Sequence, residues 1–227
     1  MNAGWNEKAL CNWRGEEFTY CDLATQIEKF HLFFDAIGVK KGDKIAICAT
    51  NSARWAITFL AVNTYEAVIV PLLSEFTPDA VANLTHHSES IILFTDKEMW
   101  KRIDSSKVPG LRAVIAVSDF SILMAEKDVE DAYNSVESVF AAKYPDGLKP
   151  ENIHYNTDNW KNLAVINYTS GTTSAPKGVM LRYESLCASI DFAIRKIPAS
   201  FEDNIVSMLP MGHIYGMVFE FMYPLVS

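Results

Sequence analysis

The sequence predicts an α/β fold, a mostly parallel sheet with crossover helices on both faces. Three observations carry that expectation. Short apolar runs alternate with stretches of helical period, which implies strands joined by crossover helices. The junctions carry residues that start and stop helices. Of the 227 residues, 49% are hydrophobic, enough for a sizeable core in one large domain or two small ones. Taken in order, residues 22–37 set Leu23, Ile27, Phe30, Phe34 and Ile37 on one helical face, with Thr19 and Asp22 spaced as a capping box and Gly38 as the stop. Residues 44–49 read as a strand, 53–65 as a helix and 67–72 as a strand. Residues 78–87 read as a helix capped by Thr77, with Pro78 at its first position, and 91–95 as the next strand. A helix is expected over 96–103, a strand over 113–117 and a helix over 131–142. Residues 143–162 form a polar connector bearing Pro and Gly. It leads to an apolar strand over 163–168, with another strand-like run over 179–181. Leu186, Ile190, Ala193, Ile194 and Ile197 then make one apolar helical face, and 204–209 reads as strand-like. No repeat or low-complexity tract is present.

Charge narrows the function classes. Lys plus Arg number 20 and Asp plus Glu 28, so the net charge is −8, which argues against a nucleic-acid partner and against electrostatic anchoring to a membrane. Residues 1–17 carry no apolar signal core, and the apolar run over 217–226 is interrupted by Glu220 and too short to span a bilayer. A cytoplasmic protein without a transmembrane segment is expected. Cys11, Cys21, Cys48 and Cys187 are widely spaced with no CxxC, so reduced, mostly buried thiols are expected rather than a disulfide framework or a zinc site. His86 and His87 are adjacent and would point about 100° apart on a helix, so they cannot form an i, i+4 metal pair and read as solvated helix-end residues. No metal site is expected.

The most informative stretch is residues 168–181, YTSGTTSAPKGVML. The apolar run before it would deliver the loop to the carboxyl edge of the sheet, where open α/β folds bind ligands. Thr169, Ser170, Thr172 and Thr173 can donate hydroxyl hydrogen bonds to phosphate oxygens, Gly171 allows close approach of backbone N–H groups, and Lys177 supplies positive charge. Pro176 restricts the backbone before the lysine and Gly178 permits a sharp exit. Ser/Thr/Gly clusters also occur in ordinary turns, but the lysine, the proline and the flanking strands favour a phosphate loop. A Walker A loop is excluded, because Pro176 stands where its glycine should be and Gly178 rather than Ser or Thr follows Lys177. GxGxxG is absent as well.

These residues closely resemble the signature phosphate loop of the acyl-adenylate-forming (AMP-binding) superfamily, YTSGTTGxPKGV. Ser174 departs from the usual glycine, a strain of roughly 1 kcal/mol if that position needs positive φ. The likeness extends along nearly the whole chain: residues 17–60 with GVKKGDKIAI and NSARW, residues 61–71 with Glu66 where a glycine is usual, and SMLPMGHIYG over 207–216. The wording is similar to the long-chain fatty acyl-CoA ligase branch.

The resemblance implies a two-step ligase. A carboxylic acid, expected to be a fatty acid, attacks Mg-ATP to give acyl-AMP and pyrophosphate, and coenzyme A then accepts the acyl group. ATP with Mg2+ and coenzyme A are thus the implied co-substrates. Thr169, Ser170, Gly171, Thr172, Thr173 and Lys177 would bind the β- and γ-phosphates, while His213, Tyr215 and Gly216 would meet the acyl substrate, His213 orienting its carboxylate. Tyr215, Phe219 and Phe221 could line an acyl pocket or be plain core. No residue here is assigned a covalent catalytic role. Family segments for adenine, ribose, the hinge and the catalytic lysine have no match, so residues 1–227 are expected to be the N-terminal portion of the adenylate-forming domain and inactive alone. Two alternatives stay open: a naturally short, non-catalytic nucleotide-binding or interaction module, and an enzyme adenylating an aryl or amino acid.

Overall fold

The computed structural model describes residues 4–169, 176–200 and 203–226. An antiparallel ribbon of β1 (Lys8–Cys11) and β2 (Glu17–Thr19) leads into helix α1 (Tyr20–Ala36). The expected capping box starts this helix: the Asp22 N–H donates to the Thr19 hydroxyl at 3.1 Å, and the Thr19 N–H donates to the Asp22 carboxylate at 2.9 Å. Gly38, at φ +70°, takes the left-handed conformation that ends it.

Alternating strands and helices follow: β3 (Lys44–Cys48), α2 (Ala53–Thr64), β4 (Val68–Leu72), α3 (Pro78–His87), β5 (Ser90–Thr95), α4 (Lys97–Trp100), β6 (Ala113–Ala116), β7 (Ile122–Ala125) and α5 (Lys127–Lys143). After the connector come β8 (Leu163–Thr169), β9 (Lys177–Arg182), α6 (Tyr183–Lys196) and a π-helical segment, Gly216–Met222. The main sheet has seven strands in the order β7-β6-β5-β3-β4-β8-β9. β6, β5, β3, β4 and β8 pair in parallel, and β7 and β9 close the two edges antiparallel. This is the mostly parallel sheet that the alternation predicts.

Both faces of the sheet are covered, so its central strands are apolar on both sides. Ile45 and Ile47 of β3 face one core with Phe30 and Phe34 of α1, Trp55 and Phe59 of α2 and Val136 of α5. Ala46 and Cys48 face the other with Val81 and Leu84 of α3, Ile103, Leu111 and Tyr168. Between α2 and β4 the chain turns through Glu66 at φ +66°, the backbone conformation that explains why a glycine is usual there. Its buried carboxylate meets the Lys41 ammonium and accepts from the Asn156 amide at 2.9 Å.

Several expectations need correction. The helix expected over 96–103 is confined to α4, because the chain then turns to bury Ile103. Helix α5 starts at Lys127 rather than 131, adding an exposed charged turn that apolar periodicity cannot mark. β1, β2 and β7 were not expected, being short and only partly buried. Residues 204–209 form no ladder; instead the Met208 and Leu209 N–H groups both donate to the Glu220 carboxylate at 2.8 Å. On α6 only Leu186 and Ala193 of the expected face are buried, while Ile194 and, just past its end, Ile197 are exposed. The cysteines are all free, but only Cys48 is buried; Cys21 is half-buried and Cys11 and Cys187 are exposed.

Candidate functional site

Two pieces of chain meet at the carboxyl edge of β3, β4 and β8. The first is the β8–β9 hairpin, whose last ladder pair is Thr169 opposite Lys177. Both stem residues are exposed, and among the described residues Lys177 forms no ion pair. Ser170, Gly171, Thr172 and Thr173, with Ser174, lie outside the described residues. One rung back, Tyr168 faces Gly178. A Cβ on Gly178 would lie 2.9 Å from Ile166 Cγ2 and 3.3 Å from Tyr168 Cε1, so the glycine admits two side chains across the ladder. Tyr168 is buried, which pushes its phenol pKa up and keeps it protonated. Its hydroxyl lies 2.6 Å from His87 Nδ1. His86 and His87 are exposed at the end of α3 as the sequence implies, yet His87 has a specific partner.

The second piece, residues 207–216, is fastened over the same edge. The Asn51 amide donates to the Leu209 carbonyl at 2.7 Å and to the Ser207 hydroxyl at 3.3 Å, and its oxygen accepts from the Met211 N–H at 2.8 Å. Asn167, buried on β8, donates to the Gly212 carbonyl at 2.8 Å. Gly212 packs against Leu72, where a Cβ would come within 3.2 Å of its carbonyl oxygen. His213 follows, exposed, with its N–H on the Pro210 carbonyl at 2.9 Å and its Nδ1 accepting from the Tyr215 N–H at 3.3 Å.

Leu73, Leu209, Pro210, His213 and Tyr215 line a cleft of about 480 Å³, a size suited to a small molecule. Tyr215 is exposed in it and pairs with Phe219 at 4.7 Å between ring centroids. Phe221 instead packs edge-on against Trp55 and Phe59 and is core. Gly216 is buried beside the Pro210 carbonyl, so it shapes the turn that presents His213. Another cavity, about 290 Å³, opens between α1 and α5 away from this edge, and its charged side chains are already paired, Lys29 with Glu137 and Arg54 with Glu16. Among the described residues no group of three His, Cys, Asp or Glu is gathered to hold a metal ion.

The sequence marks the loop and His213 by residue type but not Asn51, Asn167 and Glu220, which fasten the second piece in place. Asn167 carried a legible signal, a polar residue inside an otherwise apolar strand run. The edge thus brings together the exposed stem residues Thr169 and Lys177, the cleft beside His213 and the buried Asn167 that ties the two pieces.

The family model described as AMP-binding enzyme matches residues 2–227. Probable acyl-activating enzyme 16, chloroplastic, of Arabidopsis thaliana is 30% identical over 90% of this chain and 30% of its own length. Long chain acyl-CoA synthetase 4 of the same plant is 30% identical over 89% of this chain and 31% of its own. The chain thus spans about a third of the length of the curated relatives it matches. Apo MatB from Rhodopseudomonas palustris shares the fold with a TM-score of 0.77, at 19% identity, over 98% of this chain and 41% of that one. Hairpin, fold and family match converge: the chain belongs to the AMP-binding, adenylate-forming enzyme family, with acyl-CoA synthetases and acyl-activating enzymes among its relatives.

Proposed function

We propose that this chain is the N-terminal portion, residues 1–227, of the adenylate-forming domain of an acid–thiol ligase of the long-chain fatty acyl-CoA type. The rest of that domain and a C-terminal, lysine-bearing domain would belong to a longer polypeptide. The observation that carries the reading is the Asn167–Gly212 hydrogen bond. It joins the strand that ends in the hydroxyl-rich loop to the segment that presents His213, so an anion site and an acyl cleft share one sheet edge.

In this reading the carboxylate oxygen of a fatty acid attacks the α-phosphorus of Mg-ATP, forming the acyl–phosphate bond as pyrophosphate departs. Coenzyme A thiolate then attacks the acyl carbonyl and AMP leaves. The protein contributes position and charge. Thr169, Ser170, Gly171, Thr172, Thr173 and Lys177 grip the β- and γ-phosphates, with Mg2+ arriving on the nucleotide. His213 orients the carboxylate, Tyr215 lines the apolar cleft, and Gly216 gives the close turn between them. Fatty acid metabolism in the cytoplasm completes the proposal.

Hydroxamate formation tests it. The longer polypeptide, given Mg-ATP, a long-chain fatty acid and hydroxylamine, should form acyl hydroxamate, and residues 1–227 alone should form none. Lys177→Ala in the longer polypeptide should slow the reaction about 10- to 100-fold, the range expected when one charge-assisted contact is lost. Product from the 227-residue chain would sink the assignment as an inactive portion, and an unchanged Lys177→Ala rate would remove the lysine from its role.

A further inference from the structure

We infer that His87 is a positioning residue for the phosphate-binding hairpin, acting through Tyr168. The inference rests on the hairpin reading given above. Tyr168 and Gly178 form the rung next to Thr169 and Lys177, the two stem residues from which the loop departs. The Tyr168 ring lies where a Gly178 side chain would be, with Cε1 and Cζ at 3.3 and 3.5 Å from that Cβ position. The ring is 5% exposed, and its hydroxyl meets His87 Nδ1 at 2.6 Å with the two rings edge-on, 5.8 Å apart at 72°.

His87 belongs to α3, which connects the central strands β4 and β5, whereas β9 is an edge strand whose ladder partner is β8. The β4–β8 pairing itself has a single register pair, Ile69 with Val165, well before the loop. The His87–Tyr168 bond therefore fixes the hairpin stem to the body of the sheet near the point where the loop leaves it. Small errors of placement there are costly, because a displacement of about 1 Å can reduce a rate about a hundredfold. The bond survives either charge state of the imidazole: neutral Nδ1 accepts from the phenol, and protonated Nδ1 donates to the phenol oxygen. Substitution rather than pH is the discriminating perturbation.

Amide hydrogen exchange and ATP kinetics, both on the longer polypeptide, test the inference. Tyr168→Phe, a near-isosteric change, and His87→Leu should each speed exchange at Thr169 and over 177–179 about fivefold, leaving β3 and β5 unchanged. Each should raise KM for ATP by a similar factor with KM for the acid unaltered, the scale expected for one hydrogen bond. The double variant should be no worse than either single one, and His87→Gln, which keeps a hydrogen-bonding group, should stay within about twofold of the parent. Unchanged exchange in Tyr168→Phe, an unchanged KM for ATP, or additive effects in the double variant would overturn the positioning role while leaving the hairpin reading intact. A Lys177→Ala variant without effect in the same assay would instead defeat the hairpin reading and this inference with it.

Discussion

Replacing Gly216 by alanine is the sharpest structural probe of the His213 segment. The added Cβ would lie 2.6 Å from the Pro210 carbonyl oxygen and 3.1 Å from that of Leu209. Carbon and oxygen approach to about 3.3 Å even in favourable contacts, so roughly 0.7 Å must be found. The backbone on the receiving side has little room to give. Leu209 is bonded on both sides, its N–H to Glu220 and its carbonyl to Asn51, and the Pro210 carbonyl accepts from His213. Gly216 does not have positive φ, so the cost comes from space alone. Overpacking of this kind costs about 1–3 kcal/mol. With a urea m-value near 2 kcal/mol/M, the unfolding midpoint should fall by roughly 0.5–1.5 M, and the His213 side-chain resonances should shift. Gly212→Ala, whose Cβ would stand 3.2 Å from the Leu72 carbonyl oxygen, should cost about 1 kcal/mol or less. Equal midpoints for parent and Gly216→Ala, with His213 resonances unmoved, would refute the claim that the segment is tightly held.

His31 gives a pH dependence. Burial holds its imidazole below the ordinary 6.5 against the upward pull of Glu28, while Nε2 lies 3.1 Å from the Ala61 carbonyl and 3.0 Å from the Thr64 hydroxyl. The unfolded chain therefore binds the proton more readily, so this contribution to stability is present above 6.5 and is lost as pH falls below 6.5 through the lower folded value. Urea midpoints for His31→Gln should vary less with pH across that range than those of the parent, and parallel curves would exclude the histidine as the cause. Glu66 acts at lower pH: burial raises its pKa, but Lys41 and the Asn156 and Asn159 amides outweigh it and hold the carboxyl below its ordinary 4.5. Its stabilising effect should persist above 4.5 and fade as pH drops below that. Glu66→Gly loses the carboxylate but relieves the left-handed backbone, whereas Glu66→Ala loses the carboxylate and keeps the strain, so alanine should be less stable than glycine by about 1 kcal/mol. Equal stabilities of the two variants would show that the backbone at 66 carries no strain.

The legibility of the fold follows from burial. Strands β3 to β6 are covered on both faces and read as continuous apolar runs, and Thr19, Ser52 and Thr77 each accept a backbone N–H at the helix starts. Residues 204–209 misled because apolar composition does not reveal a ladder partner; Val206 and Met208 are 71% and 81% exposed among the described residues. For the site, the hydroxyl cluster and His213 announce themselves by residue type. The groups that hold them do not, since Asn51 meets Met211 across 160 positions, Asn167 meets Gly212 across 45, and His87 meets Tyr168 across 81. Those meetings depend on β8 lying beside β4, an order that no local pattern encodes.

That strand order also sets the spacing of the two halves of the site. Consecutive residues on a strand point to opposite faces, and on β8 Asn167 turns towards Gly212 while Tyr168 turns towards His87. One strand therefore grips the His213 segment from one face and steadies the hairpin from the other, at a separation fixed by a rise of about 3.3 Å per residue. On the proposed reading a substitution within the loop acts on the nucleotide directly, whereas a change at Tyr168 acts through the hairpin stem and one at Asn167 through the His213 segment. Lesions in the loop or at Tyr168 should appear in the kinetics of the nucleotide and leave KM for the acid unaltered. Those at Asn167 should raise KM for the acid first, because the Gly212 carbonyl they orphan stands next to His213.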